Sequence, residues 1–166
     1  MTQTTHELRD ASTSLVPETI PLLNFLHASQ LFVPRGTVNL SETMRQNNPN
    51  LLYEQQAYLM SLIQKENMPR ILLRKIIENG HVVRFEVLDG WMFVNTLIRF
   101  FKNEIPMAIE IRKYFPAAFG GVDVNMTGVS TNESISIDNF CYFRLTENKE
   151  FSEFINTVNI QVFFIE

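Results

Sequence analysis

The sequence predicts a small α+β domain, and three observations support that prediction. The chain has 166 residues, 45% of them hydrophobic, which is the size of one domain with a sizeable core. Asn79-Gly80 separates two apolar, β-branched runs and is a strong signal for an antiparallel hairpin. Helix-like patterns lie on both sides of this hairpin. We expect residues 1–16 to form a disordered or extended arm and residues 17–166 to form one domain.

The first part of the chain predicts two helices joined by an extended segment. Residues 17–30 carry apolar residues near helical spacing. Residues 31–40 should begin extended, because Val33 precedes a proline and that position disfavours helical backbone. Residues 51–66 form the strongest helix of this part. Its apolar face is predicted to comprise Leu52, Leu59 and Ile63, with Gln55, Gln56 and Gln64 elsewhere.

The middle of the chain predicts the hairpin and a helix directly after it. The hairpin spans about residues 70–88, and its return strand alternates between two faces. Asp89-Gly90 then marks a tight turn. An amphipathic helix is expected over about residues 91–104, because apolar residues recur there at i, i+3, i+4 and i+7. These residues are Val94, Leu97, Ile98 and Phe101.

The last part of the chain predicts a polar loop, a strand, a short helix and a final strand. Residues 137–145 are apolar enough for a strand, in which Cys141 would be a buried, inert thiol. Residues 146–157 suggest a helix with Thr146 as its N-cap. Residues 158–166 complete the predicted sheet.

Composition narrows the classes of function. The net charge of −4 and the lack of a basic stripe disfavour a nucleic-acid partner, although short basic stretches at residues 70–75 and 112–113 keep that class open. A single cysteine precludes an intrachain disulfide. The sequence contains no apolar run of about eighteen residues, so no membrane span is predicted. No signal peptide is visible, so a cytoplasmic rather than a secreted location is expected.

Standard motifs for catalysis and cofactor binding are missing from the sequence. It has no glycine-rich phosphate loop, no nucleophile elbow and no paired ligands for zinc. The three histidines, His6, His27 and His81, stand far apart along the chain. We therefore predict no metal and no cofactor, and the turn at Asp89-Gly90 is left as the position of interest.

Several short stretches occur in an order typical of one known family. They lie at residues 33–34, 59–63, 87–90, 96–97 and 100–105. Residues 87–90, Val-Leu-Asp-Gly, begin a V-[IL]-D-G-Q-Q-R motif that ends a strand. The order resembles the N-terminal domain of the GmrSD-type restriction family, which is related to the ParB/sulfiredoxin-like fold. The resemblance implies that fold over roughly residues 18–166.

The departures from the family pattern fall on its polar positions. The family's Q-Q-R is Trp91, Met92 and Phe93 here, and its upstream Q-R pair is Thr37-Val38. In the family these side chains provide the groups that handle a nucleotide or nucleic-acid phosphate. Arginine makes bidentate, charge-assisted contacts with phosphate, whereas phenylalanine and valine make none. The substitutions therefore predict loss of the family's activity.

The motif positions are expected to have structural roles, and no residue is assigned as catalytic. Asp89 is predicted to cap the helix that follows it. Trp91 and Phe93 are predicted to be core residues or to contact another chain. The vestigial motif comprises Asp89, Gly90, Trp91, Met92, Phe93 and Thr96.

Three functions follow as hypotheses. The first is a non-enzymatic, degenerate domain that binds other protein subunits in a larger assembly, and a minor virion component of a large DNA virus is one setting. The alternative is an NTP-dependent or nucleic-acid-acting restriction protein that uses Asp89 with Arg35, Arg70 and Arg84. The third is an inactive homologue that binds an active restriction complex as a decoy. The lost polar positions and the fourteen phenylalanines favour the first.

Overall fold

A computed structural model describes residues 16–35, 50–119 and 137–165 of the chain. Nearly all of the predicted N-terminal arm lies outside the described residues. The pair Thr37-Val38 and most of the polar loop before residue 137 lie outside them as well.

Five strands form one mixed sheet in the described part of the chain. They are β1 (Glu18–Pro21), β2 (Phe32–Pro34), β3 (Ile71–Glu78), β4 (His81–Asp89) and β5 (Asn159–Ile165). Their order across the sheet is β1-β5-β3-β4-β2. The β1–β5 and β3–β4 pairs are antiparallel, whereas β2 runs parallel to β4 and β5 runs parallel to β3. Together with the helices, this sheet confirms the predicted α+β class.

The β3–β4 hairpin lies inside the sheet and matches its prediction. Asn79 and Gly80 both have positive φ, at 53° and 79°, as a two-residue turn of the type I′ class requires. The register of β3 against β4 shifts twice, between Leu72 and Leu73 and between Ile76 and Ile77. Each shift places an extra residue in β4, and such bulges bend and twist a strand.

The hydrophobic core lies on one face of the sheet, where the helices pack. Side chains alternate between the two faces of a strand, and Ile71 and Leu73 are buried while the intervening Leu72 is only partly buried. In β5, Ile160 and Val162 are buried in the same way. The helices are α1 (Leu22–His27), α2 (Leu51–Gln64), α3 (Trp91–Phe101), α4 (Tyr142–Leu145) and α5 (Lys149–Thr157), and each contributes buried residues to this core.

The strand predicted over residues 137–145 is wrong. This segment forms a 3₁₀ turn, Ile137–Phe140, followed by α4. Cys141 and Leu145 are buried while Phe143 is exposed, which is helical spacing rather than alternation. The N–H of Phe143 donates to Asn103 Oδ1 at 2.9 Å, a contact from a distant part of the chain that local sequence does not reveal. The predicted burial of Cys141 is confirmed.

The N-cap of the last helix is also different from its prediction. Asn148 caps α5, because its Oδ1 accepts the N–H of Phe151 at 3.0 Å. Thr146 instead ends α4, and its hydroxyl donates to the carbonyl of Phe143 at 3.0 Å. Asn148 lies in the first turn of the predicted helix. The observed N-cap is therefore two residues later than the predicted one.

The apolar faces of the earlier helices are displaced from their predicted positions. In α2, Gln55 is buried and Leu52 is exposed, the reverse of the prediction. In α3, Phe100 is buried and Phe101 is only partly buried. Residues 18–21, predicted as helix, form β1 because their backbone pairs with β5. In each case, packing against distant elements decides which side of a segment is buried.

Candidate functional site

The Asp89-Gly90 turn joins β4 to α3 in a conformation that requires glycine. Gly90 has φ 86°, in the left-handed region, and is the N-cap residue of α3. A Cβ atom at this position would collide with the carbonyl oxygen of Arg70, which lies just before β3. The start of one strand and the end of its neighbour therefore approach each other closely here, and α3 begins above them.

Asp89 does not cap α3, so its predicted role is wrong. No side chain caps this helix, and Asp89 is still part of β4, opposite Leu72. Its Oδ2 instead lies 3.5 Å from Nε of Arg70, and both side chains are more than half exposed. An ion pair this open to water contributes about 0–1 kcal/mol. The carboxylate and the guanidinium are thus accessible to a ligand.

An open cleft of about 500 Å³ surrounds this turn. It brings together side chains from three separate parts of the chain: the end of β2, the α2–β3 region and the β4–α3 turn. Arg35 is held there by its backbone, since its N–H donates to the carbonyl of Val87 at 3.3 Å. We call this space the motif cleft; its lining includes Arg35, Tyr58, Arg70, Asp89, Trp91 and Met92.

A smaller and more apolar pocket adjoins the motif cleft. Its volume is about 320 Å³, and it shares Pro69, Arg70 and Phe93 with the cleft. The Arg70 guanidinium carbon lies 5.8 Å from the centre of the Phe163 ring, within reach of a cation–π contact. Arg70 therefore stands where the two spaces meet. The rest of this apolar pocket is lined by Met68, Ile71, Ile160, Gln161 and Phe163.

The residues that replace the family's Q-Q-R have different environments. Trp91 is partly buried against the core, and Met92 is partly exposed; both line the motif cleft. Phe93 is 1% exposed, and its ring centre lies 5.9 Å from that of Tyr58. Of the two predicted interface residues, Phe93 therefore offers almost no surface to another chain. Thr96 is buried, and its hydroxyl has no hydrogen-bond partner among the described residues.

The structure gathers some of the predicted site residues and leaves others apart. Arg35, Arg70 and Asp89 meet at the motif cleft, whereas Arg84 is exposed on β4 and is not part of its lining. Sequence reasoning missed Tyr58, which no motif connected with the turn. Pro69 lines both spaces, and it was not among the predicted site residues.

Two general features are absent from residues 16–35, 50–119 and 137–165. No group of three or more His, Cys, Asp or Glu side chains there could hold a metal ion. No helix in these segments is long and apolar enough to cross a membrane.

The chain matches no protein-family model, no curated protein and no solved structure. The GmrSD-like resemblance therefore rests on the residues quoted for it and stays a prediction.

Proposed function

We propose that this protein is a catalytically degenerate, GmrSD/ParB-like domain that binds other proteins as part of a larger assembly. A virion of a large DNA virus is a setting that the resemblance implies. The observation that carries the proposal is the outer part of the β3–β4 hairpin, residues 75–84, which we call the hairpin tip.

The hairpin tip extends beyond the strands on either side of it. β5 pairs with β3 only at residues 71–74, and β2 pairs with β4 only at residues 85–87. Among the described residues, both outer edges of the tip therefore lack a strand neighbour. Such edges present unpaired N–H and C=O groups that can pair with another chain.

Three β-branched apolar side chains of the hairpin tip are exposed. Ile77 and Val82 are direct cross-strand partners and are 53% and 40% exposed, and the adjacent Val83 is 37% exposed. Contiguous apolar surface with polar residues around it is typical of a protein-binding site. Glu78 and Arg84 provide the polar surroundings. The tip thus combines open strand edges with surface that gains from burial.

The vestigial motif supports a non-catalytic role. Of the three substituted positions, Trp91 and Met92 present indole and thioether surface to the motif cleft, and Phe93 belongs to the core. Indole and thioether groups bind apolar surface well, and neither carries a positive charge for phosphate or a group that titrates near neutral pH.

We expect the double variant Ile77→Thr/Val82→Thr to weaken association by about tenfold or more, because it removes the apolar surface of the tip and keeps β-branched side chains. Light scattering after size exclusion would measure self-association, and pull-down from cells of the source organism would measure binding to other proteins. Ile109→Thr is the matched control, since Ile109 is 50% exposed outside the hairpin. A wild-type chain that stays monomeric and retains no partner would contradict the proposal.

The motif cleft favours a second function, action on a nucleotide or nucleic acid through Asp89. The observation behind it is that Arg35, Arg70 and Asp89 share one accessible cleft. If this function holds, the wild type should turn over ATP or bind DNA, and Asp89→Ala should abolish the turnover or change the binding. Glu147→Ala is the control, because Glu147 is an exposed carboxylate paired with Arg144 at 3.2 Å. A wild type without turnover or binding would exclude this function.

A further inference from the structure

We infer that the motif cleft and the apolar pocket together bind an extended segment of a partner protein in which an apolar side chain lies beside a carboxylate. The inference rests on the proposed role as a protein-binding domain and names a second contact surface. Its basis is the combination of one apolar and one positively charged space on either side of Arg70.

The charge at the cleft selects a partner with one negative group. Among the described residues that line the cleft, Arg35 and Arg70 are the cations and Asp89 is the one anion. Their balance is a net charge of plus one, on a chain whose own net charge is −4. A guanidinium pairs in bidentate geometry with a carboxylate, so either arginine suits the side chain of Asp or Glu. Arg70 retains donors for this, because a guanidinium has five N–H groups and the contact with Asp89 is a single ion pair of Nε with Oδ2 at 3.5 Å.

The same balance disfavours a nucleoside triphosphate. A triphosphate carries about three to four negative charges at neutral pH. Asp89 ends the strand that lies between the strands next to Arg70 and Arg35, and its carboxylate would repel the charges of the triphosphate. A single carboxylate avoids most of that repulsion. The acidic segment is therefore the occupant that the charges favour.

The apolar pocket provides the other half of the recognition. Its volume of about 320 Å³ exceeds that of one large aliphatic or aromatic side chain, and Met68, Ile160 and Phe163 line it. Because Arg70 borders both spaces, the apolar side chain and the carboxylate must lie close together along the segment. Alternate residues of an extended strand project about 7 Å apart on one face, so a spacing of one or two residues fits.

This surface is physically separate from the hairpin tip. β3 and β4 run from the cleft end, at Arg70 and Asp89, to the turn at Asn79-Gly80. Eight residues of strand separate the two ends by roughly 25 Å. One partner could contact either surface without the other, and variants at each can be tested independently.

The test is selection of short, displayed linear peptides on the full chain, followed by fluorescence polarisation with the enriched peptides. We expect these to share an apolar residue within two positions of Asp or Glu. Arg70→Gln should weaken their binding by about tenfold, the effect of losing one charge-assisted contact. Peptides with Asn or Gln in place of the acid should lose a similar factor on the wild type and little on Arg70→Gln.

Arg144→Gln is the matched control for this test. Arg144 is exposed, forms an ion pair with Glu147 and has its guanidinium carbon 5.1 Å from the centre of the Phe143 ring. Arg70 makes the same two kinds of contact, with Asp89 and Phe163. The Arg144→Gln variant should bind the peptides like the wild type. For the apolar half, Met68→Ser should weaken binding and Leu52→Ser, at an exposed position of α2, should not.

Three results would overturn the inference: enriched peptides without a carboxylate, equal effects of Arg70→Gln and Arg144→Gln, or no enrichment. Displacement of a bound peptide by stoichiometric ATP would also overturn it, in favour of a nucleotide site. If association still depends on Ile77 and Val82 in any of these cases, the inference fails and the proposed function stands. If neither surface binds a protein, both fail.

Discussion

Gly90→Ala is expected to lower the free energy of unfolding by about 3 kcal/mol or more, through two effects at one position. At φ 86° an alanine costs about 1 kcal/mol relative to glycine. The new Cβ would also collide with the carbonyl oxygen of Arg70, which is backbone and cannot rotate away. The collision is relieved only if the start of β3 or of α3 moves, and both elements contribute core residues.

Gly80→Ala separates these two effects. Gly80 has a similar φ of 79°, but a Cβ there meets nothing within 4 Å. Only the backbone term applies, so a loss of about 1 kcal/mol is expected. Urea unfolding followed by circular dichroism would measure both variants on one scale. Equal losses would mean that the close approach of Gly90 to the Arg70 carbonyl does not contribute to the cost of the substitution.

Local signals predicted those parts of the fold in which a few neighbouring residues decide the structure. Asn79-Gly80 fixed the hairpin, because only a tight turn with positive φ at both positions suits this pair. Apolar spacing likewise placed α2 and α3, whose observed starts at Leu51 and Trp91 agree with prediction. The sheet order was beyond such reasoning, since β5 enters between β1 and β3 from the far end of the chain.

The errors occur where distant contacts override local preference. Residues 137–145 have strand-like composition, yet no neighbouring strand in the described residues pairs with them, and Asn103 binds the backbone of Phe143 instead. Gln55 is buried although it is polar, in a helix that packs against α3. Propensity is a weak prior in both cases.

Only part of the candidate site was predicted, because its other residues are brought together by contacts between distant parts of the chain. The sequence identified Asp89 and Trp91 because they follow one another in a strand–turn–helix pattern. The approach of Arg35, Tyr58 and Arg70 to that turn depends on β2 pairing with β4 and on α2 packing against α3. No spacing along the chain encodes these contacts, so the cleft could be recognised only in the folded structure.

Phe93→Arg is expected to destabilise the domain by about 4 kcal/mol or more, enough to unfold a marginally stable protein. The variant places an arginine at the position that the GmrSD-like resemblance aligns with the arginine of Q-Q-R. Phe93 is 1% exposed and packs beside Tyr58 within the core, where a guanidinium would lose its hydration. Truncation of a buried phenylalanine alone costs about 3–5 kcal/mol, and an unpaired buried charge adds to that loss.

Met92→Arg is the control, because its side chain is partly exposed at the motif cleft one position earlier. It should change stability by about 0.5 kcal/mol or less. Thermal unfolding of both variants would decide the point. A well-folded Phe93→Arg variant would mean that the side chain at position 93 can turn towards the cleft and add a third cation to Arg35 and Arg70. An unfolded variant would mean that position 93 belongs to the core and accepts a cation only if the core repacks.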